Sequence, residues 1–184
     1  MPKPGERDAM IYIYTDSDAP ARQQRLAECA RQYVSWRGLS DSEFTVAKSA
    51  AGKPYFPHSP HIHFSISHSG EYWVAAFSGQ NVGLDIQQHL QRDYLAVAKR
   101  WYHPQEFAAV KQYGASCFFD IWSAKESLLK YSGEGLSAAF STFSVIEKGQ
   151  IAALNSGLHL QTLKLLAGYS LCICGKNLGR IYSQ

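Results

Sequence analysis

Between Ile62 and Gln87 the chain reads IHFSISHSGEYWVAAFSGQNVGLDIQ. Short alternating segments follow one another with only Gly-bearing turns between them, and no other stretch limits the fold as tightly. Along the first segment Ile62, Phe64 and Ile66 point one way, while His61, His63, Ser65 and Ser67 point the other. That pattern predicts a half-buried strand whose polar face looks to solvent. The Ser69-Gly70 turn returns it as YWVAAFS, a hairpin. In the third segment Val82, Leu84 and Ile86 share one face, with Gly83, Asp85 and Gln87 on the other.

Around this block the remaining elements read as strand, helix and strand before it, then helices and strands after it. Met10–Tyr14 is a strand. DSDAP (residues 16–20) carries helix-start chemistry ahead of a helix over Ala21–Trp36. FTVAKS (44–49) is a strand and AAGKPYFPHSP (50–60) a Gly/Pro loop. Helices are expected at Arg92–Arg100, at Pro104–Tyr113, where Pro104 suits a first helical turn, and at Cys117–Ser132. SGEGL (132–136) ends the last helix, and strands follow at Ser141–Glu147, His159–Leu165 and Tyr169–Cys174. The order predicts an α+β protein of two similar halves, 1–79 and 80–184, dividing near Gly79–Asn81.

The 184 residues, 46% of them hydrophobic, suffice for one core or for two half-domains sharing one. A net charge of +3 without any Lys/Arg run disfavours nucleic acid and is compatible with a negatively charged partner. No apolar run approaches the ~18 residues of a membrane span. Cys29, Cys117, Cys172 and Cys174 contain no C-x-x-C pair. With no signal peptide in view, they read as reduced thiols of a cytoplasmic protein.

Few charges, 18% of residues, make each one in an apolar setting informative. His58, His61 and His63 match no common zinc spacing, so a solvent-facing edge is the better reading. Asp85 and Gln87, at i and i+2, put a carboxylate and an amide oxygen on one strand face, a set that suits a hard cation such as Mg²⁺ or simply faces water. In FDIWSAKESLLKYSGEGL (119–136), with Phe118 before it, the apolar arc of Phe118, Ile121, Trp122, Leu128 and Leu129 has Lys125 near its centre and Glu126 at its border. Either Lys125 snorkels and Glu126 pairs with Lys130 at i, i+4, or this helix edge lines an anionic, metal-bearing cleft. GKP puts Lys53 in a rigid turn, and SISHSG puts Ser67 and His68 at a strand end where hydroxyl and imidazole can meet phosphate oxygens.

Taken in order, GKP (52–54), FSISHSG (64–70), VGLDIQ (82–87) and FDIWSAKESLLK (119–130), with GEGL and FSV after them, resemble the 4′-phosphopantetheinyl transferases. The resemblance is to the monomeric, two-lobed type that acts in trans, and it runs from about Arg22 to Val145. It implies a pseudo-dimer of two α+β lobes with coenzyme A in the cleft between them. It also implies Mg²⁺-dependent transfer of phosphopantetheine from coenzyme A to a serine of an apo acyl or peptidyl carrier protein, releasing adenosine 3′,5′-bisphosphate. Residue by residue, Asp85 and Glu126 bind Mg²⁺, and Glu126 acts as or positions the base. Lys130 contacts the phosphate undergoing transfer. Ser67 and His68 meet the coenzyme A phosphates, Lys53 the nucleotide end and Arg22 the 3′-phosphate. Lys125 either binds phosphate or holds the helix in place. Many members carry an acid where this chain has Gln87; its amide oxygen can still ligate Mg²⁺ but adds no charge. Two other functions fit the same residues, a non-catalytic binding module for coenzyme A or carrier and a metal-dependent nucleotide hydrolase.

Overall fold

The alternating block builds the centre of the molecule. The structure is a computed structural model that describes residues 4–15, 21–40, 43–133, 138–147, 150–151 and 157–184. The expected helix start at 16–20 and most of SGEGL lie outside the described residues. In chain order the elements are β1 (Ala9–Thr15), α1 (Ala21–Arg37), β2 (Ala47–Lys48), β3 (Pro54–Tyr55), β4 (His63–Ser69), β5 (Tyr72–Ser78), β6 (Val82–Gln88), α2 (Tyr94–Trp101), α3 (Pro104–Tyr113), α4 (Ala115–Ser132), a 3₁₀ turn (Ala138–Ser141), β7 (Ile146–Glu147), β8 (Gln150–Ile151), β9 (Leu158–Leu163), β10 (Tyr169–Lys176) and β11 (Ile181–Ser183).

Two sheets carry the fold, in the strand orders β11-β1-β5-β4 and β6-β10-β9. Pairing is antiparallel throughout except between β1 and β11, where Ala9 stands opposite Ile181. The fold is therefore mixed α+β, as expected. The last strand crosses back to the first sheet, so residues 181–183 leave the half in which the sequence placed them.

Strand alternation sorts the side chains into layers. Tyr12, Trp73, Ala75 and Phe77 pack under α1 with Leu26, Cys29, Ala30 and Tyr33. Ala9, Ile11, Val74 and Ala76, on the other face of the same sheet, meet Val82, Leu84, Ile86, Leu171 and Ile173 of the second sheet. The outer face of that second sheet is covered by α4, with α2 and α3 behind it. The order is thus helix, sheet, sheet, helices, with the central strands β5 and β10 buried on both faces.

Where β4 and β6 adjoin, side chains replace a backbone ladder. The hydroxyls of Ser65, Ser67 and Ser69 accept from the backbone N–H of Leu84 (2.9 Å), Ile86 (3.3 Å) and Gln88 (2.9 Å). Donors two residues apart on β6 match serines two residues apart on β4, which satisfies an edge strand's otherwise unpaired N–H groups. The polar face expected at solvent is instead this seam, and Ser65 and Ser67 are buried.

Elements shorter than the sequence suggests are β2, reduced to two residues of FTVAKS, and the 141–147 segment, which is a 3₁₀ turn followed by the two-residue β7. Helix ends obey local chemistry. Asp93 caps α2 by accepting from Ala96 N–H. His103 and Glu106 form a capping box around Pro104 at the start of α3. Gly133, at φ +80°, closes α4 in the left-handed conformation.

Candidate active site

The site begins with a glycine. A Cβ on Gly83 would lie 1.9 Å from the carbonyl oxygen of Ser127 and 2.6 Å from Tyr131 N. Only a bare Cα lets β6 lie this close to α4, and the approach sets Asp85, two residues on, against the helix face that carries Glu126 and Lys130.

Asp85 is buried, and three side chains donate to its carboxylate. Oδ1 accepts from Lys130 Nζ and from the Ser67 hydroxyl, both at 2.7 Å. Oδ2 accepts from the Gln87 amide nitrogen at 2.9 Å. The Ser67 oxygen also accepts from Lys130 Nζ at 2.8 Å. Lys130 is therefore the partner of Asp85, and the i, i+4 pairing with Glu126 is not how it is used. Glu126 faces the same charge. Burial first, then the Asp85 carboxylate, pushes its carboxyl up to about 7, with Lys130 pulling the other way.

These groups line a cleft of about 690 Å³ whose walls are Arg22, Gln23, Lys48, Ile66, Ser67 and His68 on one side and Asp85, Gln87, Glu126 and Lys130 on the other. Of the residues expected from sequence, the structure brings Arg22, Ser67, His68, Asp85, Gln87, Glu126 and Lys130 together. Lys48 and Gln23 were missed. Their only signal was position, Lys48 standing a few residues before GKP and Gln23 beside Arg22. Ser67 lines the cleft but has no donor left for a phosphate, since its hydrogen goes to Asp85 and its lone pairs to Ile86 N–H and Lys130.

Two of the expected residues make their contacts within the protein. Lys125, expected either to bind phosphate or to hold the helix in place, is fully buried and does not line the cleft. Its ammonium pairs with Glu106 at 2.9 Å, donates to the Phe143 carbonyl at 2.6 Å and sits 4.0 Å from the centre of the Phe143 ring. Glu106 in turn accepts from Val145 N–H at 2.8 Å and His103 N–H at 3.0 Å. Lys125 does not snorkel; it ties α4 to α3 and to the segment around residue 143. Lys53, expected at the nucleotide, turns its ammonium to Asn81 Oδ1 and to the carbonyls of Val82 (3.2 Å) and Tyr131 (3.0 Å). Burial pushes it down to about 8, while three oxygen acceptors favour its charged form.

The histidines of HSPHIH do not converge. His58 faces Glu43 at 3.4 Å, both exposed, and His63 is half-buried, its pKa lowered by burial and then by Lys53 and His61. Among the described residues no group of three or more His, Cys, Asp or Glu side chains could hold a metal. A Mg²⁺ ion needs less, because it takes few protein oxygens and keeps water or phosphate. Two carboxylates close enough that one raises the pKa of the other fit such an ion, with the Gln87 side chain, whose amide nitrogen meets Asp85, next to them. Among the described residues no helix is long and apolar enough to cross a membrane.

The pattern of the 4′-phosphopantetheinyl transferase superfamily matches residues 81–174, the span that holds Asp85, Glu126 and Lys130, and the chain belongs to that superfamily. It is 32% identical over 155 residues to 4′-phosphopantetheinyl transferase Sfp of Bacillus subtilis, covering 79% of this chain and 67% of that protein. It is 34% identical to 4′-phosphopantetheinyl transferase psf-1 of Bacillus pumilus, over 67% of this chain and 57% of the relative. It is also 30% identical to the L-aminoadipate-semialdehyde dehydrogenase-phosphopantetheinyl transferase of Saccharomyces cerevisiae, over 62% and 46%. The chain thus spans about half to two thirds of the length of these relatives.

Proposed function

We propose that the protein transfers the 4′-phosphopantetheine group of coenzyme A to a serine of an apo acyl or peptidyl carrier protein, with Mg²⁺, releasing adenosine 3′,5′-bisphosphate. The observation that carries this reading is one cleft in which the buried Asp85–Lys130 pair and a carboxyl poised near neutrality, Glu126, stand opposite the cations Arg22 and Lys48 and the imidazole of His68.

In the reaction the serine oxygen of the carrier attacks the phosphorus on the pantetheine side of the coenzyme A pyrophosphate. The new P–O bond forms as the P–O bond to the nucleotide phosphate breaks, and its electron pair leaves with adenosine 3′,5′-bisphosphate. The serine proton passes to Glu126, directly or through water; a pKa near 7 suits a general base at neutral pH. Lys130 lies where charge builds on the phosphate, held there by Asp85 and Ser67, a pre-set electrostatic stabiliser. Arg22, Lys48 and His68 are placed to take the remaining phosphate charge, and Ser67 orients Lys130 rather than binding phosphate. Asp85, Glu126 and the Gln87 oxygen would hold Mg²⁺, which supplies charge neutralisation on the pyrophosphate.

We read residues 1–79 and 80–184 as two lobes with the cleft between them, the last strand returning to the first lobe. Both walls come from one chain, which supports a monomer, and the free thiols fit the reducing cytoplasm. Incubation with coenzyme A, Mg²⁺ and an apo carrier, followed by mass measurement of the carrier, tests the proposal. A gain of one phosphopantetheine is expected. Consumed coenzyme A with an unmodified carrier would make the protein a hydrolase, and bound, intact coenzyme A would make it a binding module.

A further inference from the structure

The β2–β3 hairpin is two residues long on each strand and joins no larger sheet, so its own ladder does little to hold it. Its base is fastened by the ring of Phe56, buried 4.4 Å from that of Phe64. Its tip turns through Gly52 at φ +84°, with Gly52 N–H and Ser49 N–H bonded to the carbonyls of Ser49 and Lys53. From that tip Lys53 reaches out of the hairpin to Asn81, Val82 and Tyr131. An ammonium has three donors, and three oxygens take them. Tyr131 O is one of the last carbonyls of α4, where the helix is negative. It also accepts from Asn81 Nδ2 at 2.8 Å, so Lys53 and Asn81 share one acceptor and bond each other. Gly133, the cap of α4, lies against the stem of Lys53: a Cβ there would be 3.5 Å from Lys53 Cβ.

What the hairpin tip forms gives this contact its consequence. Ala51, Gly52, Lys53 and Pro54 face Leu129, Lys130 and Gly133 across a chamber of about 260 Å³. That chamber shares Ile66, Glu126 and Lys130 with the large cleft, and Lys48, on the same hairpin, lines the cleft itself.

We propose that Lys53 is a positioning residue: it straps the β2–β3 hairpin onto the C-terminal end of α4 and so holds one wall of the coenzyme A cleft, without touching the nucleotide. The inference rests on the coenzyme A reading above. Its consequence is that losing the strap weakens coenzyme A whatever the nucleotide carries at its 3′ position.

The test uses the full chain with Lys53→Met, Lys53→Arg, Asn81→Ala and the Lys53→Met/Asn81→Ala double variant. Hydrogen exchange over residues 49–55 is read without any ligand, and the Kd of coenzyme A and of 3′-dephospho-coenzyme A is read by calorimetry. Faster exchange in the hairpin is expected for Lys53→Met and Asn81→Ala. A loss of about tenfold in affinity, the scale of one charge-assisted contact, is expected for both nucleotides with Lys53→Met. Lys53→Arg should recover most of it, and the double variant should lose less than the product of the single losses. A loss confined to coenzyme A, with 3′-dephospho-coenzyme A unaffected, would make Lys53 a ligand of the 3′-phosphate and overturn the strap, as would unchanged hairpin exchange in both single variants. Should the wild-type chain bind neither nucleotide, the coenzyme A reading falls, while the exchange data still decide whether Lys53 holds the hairpin.

Discussion

Replacing Lys125 by Met separates a residue that holds the protein together from one that handles phosphate. Met keeps most of the stem, so little cavity opens and the loss is electrostatic. The substitution removes the buried pair with Glu106, the bond to the Phe143 carbonyl and the contacts with the Phe140 and Phe143 rings. Breaking a buried ion pair by removing one partner costs about 3–5 kcal/mol. Glu106 keeps two N–H donors, from His103 and Val145, which places the expected loss near about 3 kcal/mol. At this chain length each kcal/mol lowers Tm by about 2–4 °C, so the melt should fall by roughly 6–12 °C. Urea denaturation and thermal melts measure the loss, and carrier modification at 15–20 °C measures turnover of the folded fraction. Turnover per folded molecule should stay within a few fold, because Lys125 is fully buried against Glu106 and Phe143 and does not line the cleft. A variant as stable as wild type but inactive would refute the reasoning and return Lys125 to the phosphates.

Three further outcomes are expected. In the metal-free protein Glu126 holds, when folded, a proton that the unfolded chain has already released between about pH 4.5 and 7. Its contribution to stability is thus full below the unfolded pKa and is lost as pH rises to about 7; urea midpoints across that window should show the decline, and Glu126→Gln should remove it together with at least about a hundredfold of transfer rate. Gln87→Glu adds a third carboxylate beside Asp85 and should lower the Mg²⁺ concentration for half-maximal transfer; an unchanged Mg²⁺ requirement there, with Asp85→Ala also without effect, would remove Mg²⁺ from this site. Gly83→Ala drives a methyl into the Ser127 carbonyl and should cost about 3 kcal/mol or more through overpacking, seen as a lower Tm with transfer lost as β6 backs away from α4.

Much of the site could be read along the chain because its motifs are local. Alternation put Gly83, Asp85 and Gln87 on one face of β6, and helical spacing put Glu126 and Lys130 on one border of α4. Both placements hold, since backbone periodicity alone decides which side chains share a face. Periodicity does not say what covers that face. The serines of β4 looked solvent-bound because alternating polar residues usually are, yet β6 lies against them. Lys48 entered the cleft through the position of a two-residue strand, which carries almost no sequence signal.

The sequence by itself determined the helices, the central strands, the family and the charged groups of the site, all properties of short stretches or of their order. The tertiary structure alone decided the partners. Lys125 was written into an apolar stripe because Glu106, on another helix, waits there to pair with it. Lys53 spends its charge on carbonyls 29 and 78 residues away, and the final strand pairs with the first across almost the whole chain. A buried charge must find oppositely charged or polar atoms wherever the fold brings them, and sequence separation places no limit on that distance.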